Sequence, residues 1–95
     1  GPSMNRVYPE GTICIMAPFI HLDEAPIEGK RYMVQRDDSG EFETTIKELR
    51  TDNEGLPWLW PVSDHPDFQT PLKLGDNNGE TVEIIAKVIQ SVRPE

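Results

Sequence analysis

Phe42-Glu43-Thr44-Thr45-Ile46-Lys47-Glu48-Leu49-Arg50 sets two threonines and an isoleucine in succession. Branching at Cβ restricts χ1 and packs well on a pleated surface, so the run reads as a β-strand. Side chains alternate along a strand, which puts Phe42, Thr44 and Ile46 on one face and Glu43, Thr45, Lys47 and Leu49 on the other. Lys47 therefore projects from a rigid element, flanked on its own face by Thr45 and Leu49. Glu48 is expected to point the opposite way.

Outward from this strand, Asp37-Asp38-Ser39-Gly40 supplies turn residues that close a hairpin onto a preceding strand, Arg31 to Arg36. On the other side Asp52-Asn53-Glu54-Gly55 makes a turn into a strand from Leu56 to Val62, with Trp58 and Trp60 on one face. Those two rings are read as core or cover for the core, with a partner interface as the alternative. Nearer the start, Pro9-Glu10-Gly11 turns into a strand from Thr12 to Met16, and Ala17 to Lys30 reads as a loop with a short extended piece. Ser63 to Phe68 is irregular, Pro71 to Leu74 reads as a short strand, and Gly75 to Gly79 as a turn. Thr81 to Arg93 is the longest extended run. Its Val82, Ile84, Ala86, Val88 and Val92 are expected on one face and Ile85 and Ile89 on the other. A strand apolar on both faces belongs in a closed or folded-over sheet, or under a second subunit. The predicted fold is all-β, compact and mostly antiparallel, with a folded-over sheet.

Ninety-five residues suit one small domain. Gly1-Pro2 reads as the remnant of a cleaved purification tag, and Ser3 either belongs to it or is native, which leaves residues 4–95 as the domain. Seventeen acidic residues against nine basic ones give a net charge of −8, which repels a phosphate backbone and argues against nucleic-acid binding by this domain itself. No apolar run is long enough to span a bilayer, and no leader is expected. Cys14 is the single cysteine, which agrees with a reducing cytoplasm, and between Ile13 and Ile15 it reads as a small core side chain. His21 and His65 lack a ligand-like spacing to Cys, Asp or Glu, so neither a metal nor a cofactor is expected.

Ser3-Met4 shortly before Pro9-Glu10-Gly11, then Thr45-Ile46-Lys47, resembles the peptidase domain of LexA and phage repressors. The likeness continues through Gly29-Lys30-Arg31-Tyr32-Met33-Val34, Trp58-Leu59-Trp60-Pro61 and Val82 to Ile89, so it covers nearly the whole chain. It implies the LexA and signal-peptidase type of folded-over sheet, a nucleophilic Ser3 and a basic Lys47. It also implies a homodimer contact through Ile89, Ser91 and Arg93, DNA binding only through an amino-terminal domain, a DNA-damage (SOS) coprotease as trigger, a cytoplasmic setting and no membrane. Two departures stand out. Pro2 occupies a position where the family commonly carries an acidic or polar residue, and Glu48 stands where it often carries arginine. The family's scissile bond joins a small residue or cysteine to glycine upstream of the nucleophile, and this chain contains neither Ala-Gly nor Cys-Gly.

The chemistry sets conditions on both groups. A serine hydroxyl attacks an amide poorly until its proton is removed, and a lysine removes it only when neutral. Desolvation disfavours the ammonium form, so a lysine against an apolar wall and away from carboxylates has its pKa lowered toward that task. Without the resemblance, a strand lysine reads as a solvated charge or an edge protector. An inactive interaction module of the same fold, serving dimerisation or binding to a repressor partner, is the second expectation.

Overall fold

The computed structural model describes residues 9–62 and 69–93. Among them are seven strands: β1 (Ile13–Pro18), β2 (Arg31–Asp38), β3 (Glu41–Thr51), β4 (Pro57–Pro61), β5 (Leu72–Lys73), β6 (Gly75–Asn77) and β7 (Glu80–Val92). They form one antiparallel sheet in the order β1-β7-β2-β3-β4-β5, with β6 also paired to β7. The all-β, antiparallel expectation holds. No helix among the described residues is long and apolar enough to cross a membrane.

The β2–β3 hairpin is tighter than its four turn residues suggest. Asp37 and Asp38 stay in the ladder opposite Phe42 and Glu41, and Ser39-Gly40 alone makes the turn with φ of 54° and 90°. Two successive positive φ values give the turn whose twist matches paired strands. The Asp37 carboxylate accepts the Gly40 N–H at 2.9 Å, which fixes the corner.

Three expectations are corrected. Ala17 and Pro18 extend β1, and a single 3-10 turn, Phe19–His21, follows where the sequence reads as a loop with a short extended piece. Gly75 to Gly79 is not all turn: β6 pairs with Val82, Thr81 and Glu80, and only Asn78-Gly79 reverses the chain, at φ of 48° and 86°. Asn77 Nδ2 donates to the carbonyls of Lys73 and Gly75, which supports this short strand. In β7 the strict alternation of two apolar faces fails. Val34 pairs with Ile84 but Met33 with Ala86, so Ile85 is an extra residue, and a second irregularity beside Ile15 and Met16 leaves Ile89 out of register. Each bulge resets the alternation.

The consequence is a core on both sides of the sheet. Tyr32, Val34, Leu49, Leu59, Val82 and Ile84 form the main cluster, with Phe19, Leu72 and Leu74 packed against it. The Phe19 and Tyr32 rings meet edge to face at 5.8 Å, and the Tyr32 hydroxyl accepts the Ile27 N–H at 2.8 Å. Ile46 and Val62 form the second cluster with Cys14, Met16 and Val88. Strands far apart in sheet order, β1 and β7 on one hand and the end of β4 on the other, thus share one cluster, as a folded-over sheet requires. Cys14 packs there among aliphatic neighbours.

The turn geometry gives a direct test. Gly40→Ala is expected to lower the unfolding free energy by about 1 kcal/mol in urea titration, because φ near 90° strains any residue with a Cβ. Nothing lies within 4 Å of where that Cβ would stand, so the loss is one of backbone alone. Ser39→Asn should gain a few tenths, since Asn tolerates positive φ better. Unchanged stability in Gly40→Ala would contradict this turn.

Candidate functional site around Lys47

Lys47 lies near the middle of β3, the strand bounded by β2 and β4. In the two ladders it stands opposite Tyr32 on one side and Pro61 on the other. Opposed residues of antiparallel strands share a face, so Lys47, Thr45 and Leu49 lie with Tyr32 and Leu59 on the side of the main cluster. Tyr32 and Leu59 are fully buried, Leu49 is 2% exposed, and Lys47 itself is only 6% exposed. The expectation that this lysine sits in an apolar wall is met.

Among the described residues its charge finds no close counter-ion. The described ion pairs engage other cations: Glu48 with Arg31 at 3.4 Å and Arg50 at 2.9 Å, Glu80 with Arg36, and Glu24 with Lys87 at 2.7 Å. Glu48, next to Lys47 in sequence, is held on the opposite face by its two arginines, so it does not reach the amine. Burial pushes the Lys47 pKa down. Glu43 on the same strand face raises it in part, and Arg36 lowers it further. Lys87 shows the contrast, since its contact with Glu24 pushes its pKa up.

A second polar atom accompanies the amine. Thr45 Oγ1 is buried and makes no hydrogen bond among the described residues. It sits two positions before Lys47 on the same face. The sequence identifies Thr45 as a neighbour of Lys47, but no pattern in it signals an unpaired hydroxyl.

Ser3 and Met4 lie outside the described residues, as does His65. Among the described residues no group of three or more His, Cys, Asp and Glu is placed to hold a metal ion. The residues expected at an interface fall in two places. Ile89, Ser91 and Arg93 are exposed at the end of β7 and just after it, whereas Trp58 and Trp60 are half-buried on β4, beyond β2 and β3 in the sheet. The tryptophans line a cleft of about 430 Å³ with Arg50, Thr51, Asp52 and Pro71. Its polar groups are already engaged: Asp52 accepts the Trp58 Nε1–H at 2.8 Å, and the Arg50 guanidinium stacks 5.3 Å from the Trp60 ring while bonding Glu48. This cleft faces away from Lys47. Beside the expected Ile89, the structure adds Ile13, Ile15 and Val92 as exposed aliphatics on the paired strands β1 and β7. Alternation sets Ile13 and Ile15 on the face opposite Cys14, and nothing local in the sequence shows that this face is left uncovered.

Compared with protein-family profiles, curated proteins and solved structures, the chain matches none.

The buried amine predicts a pH-dependent stability. Below its depressed folded pKa, Lys47 is charged in both folded and unfolded chains, and burial of the charge destabilises the fold in full. Between that value and the unfolded lysine value of about 10.4, the unfolded chain binds a proton that the folded one lacks, so stability rises with pH across this window. Lys47→Met is therefore expected to stabilise the protein by about 1–2 kcal/mol at pH 7, an advantage that narrows as pH approaches that upper limit. Thermal unfolding of both proteins from pH 7 to 10.5 checks it. A Met variant less stable at neutral pH would show that the amine is not desolvated at a loss.

Proposed function

We propose that this chain is the carboxy-terminal self-cleavage and dimerisation domain of a repressor of the LexA and phage type, with Ser3 as nucleophile and Lys47 as general base. One observation carries the reading: Lys47 is buried against apolar side chains, with no carboxylate in hydrogen-bond contact among the described residues. A lysine so placed becomes neutral at lower pH than a solvated one, which is the state a base needs. Neutral Nζ takes the serine proton as the oxygen adds to the scissile carbonyl, and the resulting ammonium returns it to the departing amine. Water then hydrolyses the acyl-serine ester, releasing the new carboxylate and restoring the hydroxyl. The bond cut would lie in a linker upstream, joining this domain to an amino-terminal DNA-binding domain. Losing the dimer would then remove the avidity that holds two operator half-sites.

A chain extended upstream through such a linker, incubated between pH 7 and 10, is expected to cleave itself about tenfold faster per pH unit until the Lys47 pKa is reached. Lys47→Ala and Ser3→Ala should each abolish the product band. An extended wild-type chain that stays intact across the range would overturn the reading, as would cleavage at an unchanged rate in Lys47→Ala.

A second reading, an interaction module of the same fold with no working dyad, is favoured by the exposed aliphatics. Ile13, Ile15, Ile89 and Val92 are 64%, 49%, 57% and 47% exposed, and they cluster where β1, at the sheet edge, pairs with the end of β7. Both readings take a second copy of the chain at this surface. Sedimentation equilibrium should show a dimer whose dissociation constant rises about tenfold or more in Ile13→Asp/Val92→Asp, since each buried aliphatic contributes about 1.5–3 kcal/mol. Monomer alone at high concentration would contradict it.

A further inference from the structure

We propose that two copies of the chain join through their β1 strands, antiparallel about a twofold axis at Cys14, so that one sheet continues through both. The inference rests on the reading that a second copy takes the Ile13 and Val92 surface, and it names the contact. The resemblance points to the closing strand, but β1 lies outside β7 in the sheet order. Among the described residues β1 pairs with β7 alone, so its outer side offers unpaired N–H and C=O groups, a template for a further strand. Ile13 and Ile15, 64% and 49% exposed, share a face that Val92 continues on β7, where it stands opposite Ile13. An open backbone edge and an uncovered aliphatic face thus coincide at one place in the fold.

Charge favours a second copy at this edge and selects the antiparallel sense. The net charge is −8, so two copies approach best along surfaces that carry no acidic groups. β1 has no charged residue, and the stretch of β7 paired with it has only Lys87, held by Glu24. Asp37, Asp38, Glu41, Glu43, Asp76 and Glu80 gather instead around the β2–β3 turn and the start of β7. From Glu80 to Val92 the strand spans roughly 40 Å, several screening lengths at physiological salt. An antiparallel join sends the two acidic ends to opposite ends of the joint sheet, whereas a parallel one would set them side by side.

The register follows from three residues. A twofold axis perpendicular to the sheet keeps its faces matched, so opposed residues have the same parity. A centre on Cys14 sets Ile13 against the partner's Ile15 and spans Thr12 to Met16. A centre on Ile15 would set Ile13 against Ala17 and bring Pro18, which has no N–H, into the ladder opposite Thr12. On the other side Gly11, at φ of 89°, leaves the extended conformation.

Isotope-filtered NOE spectra and sedimentation equilibrium of the whole chain test the pairing. In a dimer mixed from ¹³C-labelled and unlabelled chains, methyl contacts are expected between Ile13 of one copy and Ile15 of the other, whose Cβ atoms would lie about 4.5–5.5 Å apart. Ile15→Asp should raise the dissociation constant about tenfold or more. Phe42→Ser, 65% exposed at the far end of the sheet, should leave it within about twofold. A dimer whose intermolecular contacts run through Ser91 and Arg93, with none from Ile13 to Ile15, overturns the strand pairing and leaves the second-copy reading standing. Equal weakening by Phe42→Ser does the same. Monomer alone at high concentration overturns both.

Discussion

An ammonium group held out of water, with no carboxylate paired to it among the described residues, is the constraint on which the structure of this protein turns. Desolvating a charge costs several kcal/mol unless something offsets it, and Lys47 is surrounded by side chains that offer packing instead of charge. The offset comes from the strands on either side. Tyr32, Leu49 and Leu59 are all but removed from water around it, and each contributes burial energy comparable with the penalty. The other cations of the sheet follow the ordinary rule: Arg36 meets Glu80, Lys87 meets Glu24, Arg31 and Arg50 share Glu48, and Lys73 is exposed to water. Lys47 is the departure, and a group kept in an unfavourable state is where chemistry is expected.

The two faces of β3 divide the labour. On one, Glu48 gathers Arg31 and Arg50, and Arg50 lies over Trp60, so charge and aromatic surface are satisfied together and away from the amine. On the other, Thr45, Lys47 and Leu49 meet the main core. A one-residue slip of β3 would exchange these faces, burying Glu48 and exposing Lys47, so the register fixed by the Ser39-Gly40 turn also fixes the chemistry. The bulges of β7 matter for the same reason. By resetting the alternation they let one strand serve the main cluster with Val82 and Ile84 and the second cluster with Val88.

Much of this was legible before any coordinates. Thr44, Thr45 and Ile46 announce β3, Asp37 to Gly40 announces its hairpin though not that Asp37 and Asp38 stay paired, and strict alternation puts Lys47 beside Leu49 with Glu48 turned away. What was not legible depends on pairing partners. The run from Val82 to Val92 is apolar at both parities, so nothing local shows where Ile85 and Ile89 leave the ladder. Gly75, Asp76 and Asn77 have the composition of a turn, and only the neighbouring β7 makes them a strand. The near-complete burial of Lys47 comes from Tyr32 and Leu59, which are 15 and 12 positions away in the chain. The unpaired Thr45 hydroxyl is likewise a product of packing. The nucleophile is a different case: Ser3 rests on the resemblance alone, since it lies outside the described residues.

The order in which the Lys47 and Lys87 amines lose their protons tests the central claim most directly. In ¹H–¹⁵Nζ spectra of the folded wild-type protein recorded from pH 7 to 11, the Lys47 ammonium should deprotonate below the ordinary lysine value and well before Lys87, whose Glu24 partner holds its proton. Lys47 and Lys87 titrating together, or Lys47 titrating at or above the ordinary lysine value, would mean that the amine is solvated or paired, and the account of β3 as the carrier of a dry base would fail.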